Sequence, residues 1–391
     1  MHNGNNKKKI AFFMTNTEFR GGVIALYYFL KNLDFSVYEP LYITCSNGEH
    51  VDRISRLNIK CYVFPIPLGI LNIGRNQFYK DIFNNLLNFP TTIKSLFQMA
   101  SFLRKEKVGL IHTQDQKSSI FGAIIGVLSM TPVVWHVRDI PKGVVSIIDQ
   151  LFGIFVKKII PVSEVVAEPF KNNLFLKKKT LVIYDGIDTS IFRPDIGKNK
   201  FRLKEKIKNK FIVGQVASLI PLKGIQYFIK AAHQLLSSGF EGIFILIGDN
   251  KIAQYKGYES KLKQMVADFG IEEHFYFMDF RNDIHIAMAA FDIFVFTSLF
   301  DGFGRVLIEA MALKTPVVAF DIGASREIIE NNVSGVLVPP MNSEALAKTI
   351  LKLYVDAQLR AKLGEGGYKK VKKCFEITET IKQIENVYQT I

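Results

Sequence analysis

Short runs of β-branched and aromatic residues recur along the chain, each followed by a longer stretch in which apolar positions return every three or four residues. Strands buried on both faces read as unbroken apolar runs, while helices laid over them show the 3.6-residue period. The alternation therefore predicts βαβ units and parallel sheets. In the first half the runs are IAFFM (10–14), LYITC (41–45), KCYVF (60–64), GLIHT (109–113), PVVWH (132–136), KIIPV (158–162) and TLVIY (180–184). In the second they are FIVGQVA (211–217), GIFILIG (242–248), HFYFM (274–278), DIFVFT (292–297), TPVVAF (315–320) and GVLVP (335–339). Two such sets predict an α/β protein with two doubly wound parallel sheets. The change-over is expected between Asp188 and Lys210, where the Asp185-Gly186 turn is followed by Pro194, Gly197 and a lysine-rich run. Beyond Pro340 the chain reads as helical. The expected organisation is a first domain over 1–190, a second over 191–375, and a terminal helix over 376–391 packing back on the first.

One segment breaks the alternation. Between Ile73 and Lys107, Phe78, Ile82, Phe83, Leu86, Leu87, Phe89, Ile93, Leu96, Phe97, Met99, Phe102 and Leu103 interleave with Lys80, Lys94, Arg104, Lys105 and Lys107. The spacing predicts two amphipathic helices broken at Pro90. Two readings stay open: the helices cover the sheet, or part of their face meets a membrane, as basic amphipathic helices do.

Composition narrows the class. With 48% apolar and 22% charged residues the 391-residue chain is not disordered, and 33 phenylalanines with a mean hydropathy of +0.15 make it greasy. A net charge of +14 favours anionic partners, among which the sign alone does not choose. The densest basic run, Lys198 to Lys210, reads as a solvated helical face, and no aromatic-plus-basic sheet motif supports nucleic-acid binding. Cys45, Cys61 and Cys374 lack metal-ligand spacing and read as reduced thiols. Met1 to Lys9 is polar and basic, and the apolar run behind it is too short for a signal-peptide core. The longest uncharged apolar stretch, Ile120 to Met130, falls short of the ~20 residues a spanning helix needs. The expected location is the cytoplasm, with peripheral contact at the inner face of the cytoplasmic membrane as the further option.

Ligands of doubly wound sheets bind beyond the carboxyl ends of the strands, so the residues there are the candidates. Arg20-Gly21-Gly22 follows the first strand and opens a helix, where glycines let backbone amides approach a ligand. The fifth strand ends in Trp135-His136-Val137-Arg138-Asp139, which places a histidine beside an Arg–Asp pair. In the second half Pro221-Leu222-Lys223-Gly224 opens a helix, and a lysine there can neutralise a diphosphate as a point charge. Ile247-Gly248-Asp249 and Phe280-Arg281 close two further strands, where they can border a base. The most specific segment is SLFDGFGRVLIEAMA (298–312), with Asp301 in a loop and Glu309 about one turn into a helix starting near Gly304. Gly302 and Gly304 free the backbone around Phe303 to face a phosphate, and the two carboxylates suit sugar hydroxyls.

Taken together, these motifs resemble glycosyltransferase family 4, the retaining enzymes of GT-B fold. The resemblance spans nearly the whole chain, is strongest from Phe211 to Pro340, and also takes in PVSE (161–164) and DGID (185–188). It implies two Rossmann-like domains facing across a cleft, with Lys223 on the donor diphosphate and Glu309 on the ribose. It further implies Asp301 with the Phe303-Gly304 amides at the transferred sugar and β-phosphate, His136 beside the sugar, and Phe280 and Arg281 at the base. Gly21, Gly22, Arg138, Gly248 and Gly302 complete the implied donor-binding set. Two positions depart from the family pattern. Ala217-Ser218 stands where Gly-Arg is usual, which leaves Arg20, Arg138 or Arg305 as substitute cations, and Asp301 replaces the usual glutamate. The implied reaction is front-face transfer of a hexose from a UDP- or GDP-sugar to a glycan or lipid-linked acceptor, with no cofactor and no metal. A GT-B epimerase or phosphorylase and a non-catalytic GT-B scaffold are the alternatives.

Overall fold

The computed structural model describes residues 7–391 apart from 17, 20, 68–77, 142, 208–209 and 250–254, and, within its helices, the side chains of 78–88, 143–145 and 198 are not described. The chain divides into two compact units, Met1–Gly186 with Ile377–Ile391, and Ile187–Glu376.

Unit 1 alternates β1 (Lys8–Met14), α1 (Gly21–Lys31), β2 (Tyr38–Thr44), α2 (Glu49–Ser55), β3 (Lys60–Val63), α3 (Phe78–Lys105), β4 (Leu110–Thr113), α4 (Gln116–Ser129), β5 (Val133–Val137), α5 (Gly143–Gly153), β6 (Lys158–Pro161) and α6 (Glu164–Lys171). Unit 2 begins with α7 (Lys198–Lys204) and β7 (Phe211–Val216). It continues through α8 (Ile225–Ser237), β8 (Gly242–Ile247), α9 (Tyr258–Asp268), β9 (Phe275–Met278), α10 (Ile284–Ala289), β10 (Ile293–Phe296), α11 (Arg305–Ala312), β11 (Val317–Phe320), α12 (Ser325–Ile328), β12 (Val336–Val338), α13 (Ser343–Val355) and α14 (Ala357–Cys374). The last helix, α15 (Ile377–Gln389), belongs to unit 1. Its Ile381, Ile384 and Tyr388 join Ile10, Phe12, Leu26 and Tyr42 in one core.

Both sheets are parallel, in orders β3-β2-β1-β4-β5-β6 and β12-β11-β10-β7-β8-β9. These are the same doubly wound order, with the direction of winding reversing between β1 and β4 in unit 1 and between β7 and β10 in unit 2. The crevice left at such a reversal, beyond the carboxyl ends, is where a ligand fits. The central strands are buried on both faces, as Ile10 to Met14 and Ile293 to Val295 illustrate, while the edge strands β3, β9 and β12 are only partly buried. Burial pushes the Cys45 and Cys61 thiols up to about 12 and about 11, so both stay protonated and unreactive.

Two expectations need correction. TLVIY (180–184) is not a strand: Leu181 and Ile183 donate to the carbonyls of Ile159 and Pro161 (2.9 and 3.1 Å), but only an isolated bridge at Thr180 forms. The reciprocal bond into Leu181 would need an amide hydrogen from Pro161, which has none. The amphipathic segment is one helix, α3, with Pro90 inside it rather than two helices broken there. Proline removes a single donor from the ladder, and Leu96, Met99, Ala100 and Leu103, all buried, anchor the turns that follow. The part of that segment before Phe78, and the side chains up to Leu87, lie outside the described residues.

Candidate active site

In unit 2 the reversal point is built from the ends of β7 and β10. After β7 the chain makes a tight turn over Pro221–Lys223 and passes into α8 through Gly224, at φ +61°. A Cβ on Gly224 would lie 2.1 Å from the carbonyl oxygen of Thr297, so this left-handed position is closed to other residues by both conformation and space. Buried Gln215 donates to Thr297 Oγ1 (2.9 Å), which donates to the Lys223 carbonyl (3.0 Å). The backbone under Lys223 is thus fixed to the end of β10. Its side chain carries the ammonium onto the Asp301 carboxylate, each about a quarter exposed.

Asp301 lies in the β10–α11 loop, with the Phe303 amide 3.4 Å from its other oxygen. Gly302 follows it in the loop, and Gly304, at φ +85°, starts α11 with no side-chain cap. Phe303 itself turns inward, buried against Phe375 at 5.8 Å between ring centroids. Glu309 sits one turn into α11, buried, with Arg305 Nη2 3.7 Å from its Oε1. Burial pushes its carboxyl above the usual range, and Arg305 pulls against that rise. Gly248 leaves β8 with its amide on the Met278 carbonyl (2.9 Å), so close to the end of β7 that a Cβ would meet Ala217 O at 1.9 Å. Phe280 is partly exposed. Arg281 is committed elsewhere: its guanidinium grips Asp283 through two nitrogens (2.5 and 2.9 Å), reaches Glu205 (3.2 Å), and lies over the Phe201 ring at 4.9 Å. It ties α7 to the end of β9.

Unit 1 assembles its own group. His136 is only 2% exposed, and neither ring nitrogen has a hydrogen-bond partner among the described residues. Its Nε2 stands 3.8 Å from Asp185 Oδ1, and its ring stacks on His112 with centroids 5.3 Å apart. His112 Nδ1 is 2.5 Å from the hydroxyl of Tyr388, supplied by α15 from the far end of the chain. Burial, aided by the Arg138 cation, holds His112 at about 3 and His136 well below the ordinary histidine value. Both rings are neutral at physiological pH, so His136 offers hydrogen bonds rather than a positive charge.

Arg138 bonds Asp185 (3.0 Å) and Gln114 (3.1 Å), and its Cδ would stand 3.3 Å from a Cβ on Gly22. Gly22 therefore makes room for this arginine at the start of α1, while Gly21 beside it has open space and a φ of +36°. Arg20 lies outside the described residues. Three neighbours had no assigned role in the sequence: Asp185, known there from the turn and the DGID segment, Gln114, and Asp115. Asp115 caps α4 through Ser118 N (2.9 Å) while accepting from Thr15 N and Oγ1 (2.6 and 2.7 Å) and Asn16 N (3.2 Å). It locks the β1–α1 loop to the end of β4, and its signal was the short polar run QDQK directly behind a strand.

The structure brings Lys223 and Asp301 together in one unit, and Gly22, His136 and Arg138 in the other. Among the described residues, no three His, Cys, Asp or Glu converge as a metal site. Residues 197–370 match the family described as glycosyl transferases group 1, so Lys223, Asp301 and Glu309 all lie in the matched segment. That segment is a group 1 glycosyltransferase domain, and the chain that holds it is similar to known glycosyltransferases. Its relatives include the UDP-Gal:alpha-D-GlcNAc-diphosphoundecaprenol alpha-1,3-galactosyltransferase of Escherichia coli, 25% identical over 76% of this chain and 79% of that protein. Another is the capsular polysaccharide biosynthesis glycosyltransferase CapM of Staphylococcus aureus, 24% identical over 76% and 81%. Among solved structures, Anabaena HepE in complex with UDP-glucose superposes with a TM-score of 0.83 at 25% identity, covering 98% of this chain and 100% of that one. Two doubly wound units in one such glycosyltransferase chain are the GT-B fold. No described helix is long and apolar enough to cross a membrane.

Proposed function

We propose that this group 1 glycosyltransferase moves a hexose from a UDP- or GDP-sugar to a glycan or lipid-linked acceptor, retaining the anomeric configuration, in the synthesis of cell-surface polysaccharide or glycolipid. The observation that carries the reading is the placement of Lys223 and Asp301 side by side at the β7/β10 reversal, next to the uncapped start of α11. A cation and a helix start suit a diphosphate, and a carboxylate beside them suits sugar hydroxyls. Glu309, ionised on binding, accepts from the two ribose hydroxyls, which supply the hydrogen bonds that its buried carboxylate needs. The relatives' names support a UDP-sugar as the first donor to test and a lipid-linked glycan as the first acceptor.

In the proposed course the bond from the anomeric carbon to the diphosphate oxygen breaks while the acceptor oxygen bonds the same carbon from the same face. The departing oxygen takes the acceptor's proton. Lys223 and the amides at the start of α11 stabilise the charge that grows on the diphosphate, so preorganised electrostatics and positioning provide the rate. Arg305, at the first position of α11, is the cation of unit 2 proposed to stand in where Ser218 replaces the family arginine. No divalent ion is required in this scheme.

Two tests follow. A donor binding only the folded state at a hundred times its Kd stabilises by about 2.7 kcal/mol. A screen of UDP- and GDP-sugars by thermal shift should therefore single out one base, EDTA should leave turnover unchanged, and NMR of the product should show the donor's anomeric configuration. An inverted product would overturn retention. Separately, His136→Ala should lower turnover while leaving nucleotide affinity, titrated by calorimetry, close to wild type, because a neutral, buried histidine of unit 1 is assigned to the transferred sugar and not to the nucleotide. Equal losses in both would remove that assignment.

A further inference from the structure

Helix α4 is built inside out. The face it presses on the sheet carries small residues, Ser118, Ser119, Gly122, Ala123 and Gly126, all buried. Contact is so close that a Cβ on Gly122 would lie 2.5 Å from Thr113 Cγ2 and one on Gly126 2.3 Å from Val133 Cγ2. Of the large apolar side chains only Ile125 is buried with them; Ile120, Phe121, Ile124, Val127 and Leu128 occupy the other face, and each is at least partly exposed. A helix covering a sheet ordinarily does the reverse.

The two helices packed on either side of α4 continue the surface. On α3, Phe89 and Phe97 are each more than half exposed, as are Ile147 and Leu151, one turn apart on α5. Soluble surfaces rarely hold a contiguous apolar area spread over three helices. Its charge has one sign. Among the described side chains of α3, α4 and α5 the ionisable residues are Lys94, Arg104, Lys105, Lys117 and Asp149, and the single acid is buried. Behind α5 the exposed Lys157, Lys177 and Lys178 add to the same sign next to the exposed Phe155 and Phe175.

We propose that the outward face of the α3–α4–α5 layer is a docking surface for an anionic lipid bilayer, centred on α4. Large apolar side chains flanked by lysine and arginine, with no exposed acid among the described side chains of the three helices, match the acyl boundary and the negative headgroups of one surface. A partner protein would need an apolar face rimmed by acids to do the same. The membrane option read from the sequence rested on residues 73–107; the structure moves its centre to a helix with a single charged residue. This inference stands apart from the donor site and does not depend on it.

The test is co-sedimentation of the full chain with vesicles of phosphatidylcholine and phosphatidylglycerol against phosphatidylcholine alone. Binding should favour the anionic vesicles by roughly tenfold or more and weaken as salt shortens the Debye length. A Phe97→Gln/Val127→Gln/Leu151→Gln variant, substituted only at exposed positions, should lose most of the binding while keeping its circular dichroism and melting temperature. Absent or equal binding to both vesicle types, or full binding by the variant, overturns the proposal. So does a concentration-dependent dimer that the variant dissociates without any vesicle binding, since the surface would then belong to a second copy.

Discussion

Lys223→Ala is expected to lower turnover by roughly 10²-fold, the usual cost of removing one preorganised group that stabilises charge developing in a transition state. The ammonium meets a carboxylate that is itself assigned to the sugar, so it stands where the bond between sugar and diphosphate would break. The fold should survive the change. The pair is partly exposed, and such pairs contribute at most about 1 kcal/mol; the backbone of the turn is held separately by Thr297, Gln215 and the steric demand at Gly224. Glu309→Gln should also reduce turnover, by roughly tenfold or more, through weaker ribose binding, because an amide accepts at one atom where a carboxylate accepts at two. The distinguishing readout is the split between parameters. Loss of Lys223 acts chiefly on kcat and loss of Glu309 chiefly on KM for the donor. Wild-type kinetics in both variants would move the donor site away from the β7/β10 reversal.

Most of the architecture was legible because its signals are local. A strand buried on both faces has to be an apolar run, and a strand-to-helix turn that touches a neighbouring strand has to be glycine, as Gly224 against Thr297 shows. The failure at TLVIY was local as well: periodicity favoured a strand, but the proline that denies it a partner sits in the preceding run, KIIPV. Contacts between distant segments carried no such signal. Nothing near residue 388 announces that its hydroxyl meets His112, which is 276 positions away. Arg281 was similarly opaque, because its acids, Asp283 and Glu205, come from its own loop and from a helix far upstream. The candidate chemistry followed the same rule: motif residues could be placed at strand ends, whereas the pairing of Lys223 with Asp301 required the fold.

Asp149 gives the second large effect, and it is read in stability. It is the only charged residue of α5, and it is 2% exposed. Gln116 at the start of α4 donates to its Oδ2 at 2.8 Å, while its Oδ1 has no partner among the described residues. Burial, with a contribution from nearby Asp139, pushes its carboxyl up to about 7 from an ordinary 3.8. Between those values the folded chain holds a proton that the unfolded chain has released, so stability falls as pH rises across the window. The limit is about 1.4 kcal/mol per pH unit, on the order of 4 kcal/mol in all. His112 and His136 act with the opposite slope, since each stays neutral in the fold and gains a proton on unfolding below about 6.5. Their effect is common to wild type and Asp149→Asn and cancels in the difference. Asp149→Asn should therefore gain on wild type steadily from pH 4.5 to 7 and hold a constant advantage above that. Trp135, the one tryptophan and wholly buried in β5, reports the unfolding of unit 1 directly in a denaturant titration. A stability difference that stays flat with pH would mean that Asp149 is ionised throughout, with a counter-charge or water reaching the oxygen between α4 and α5.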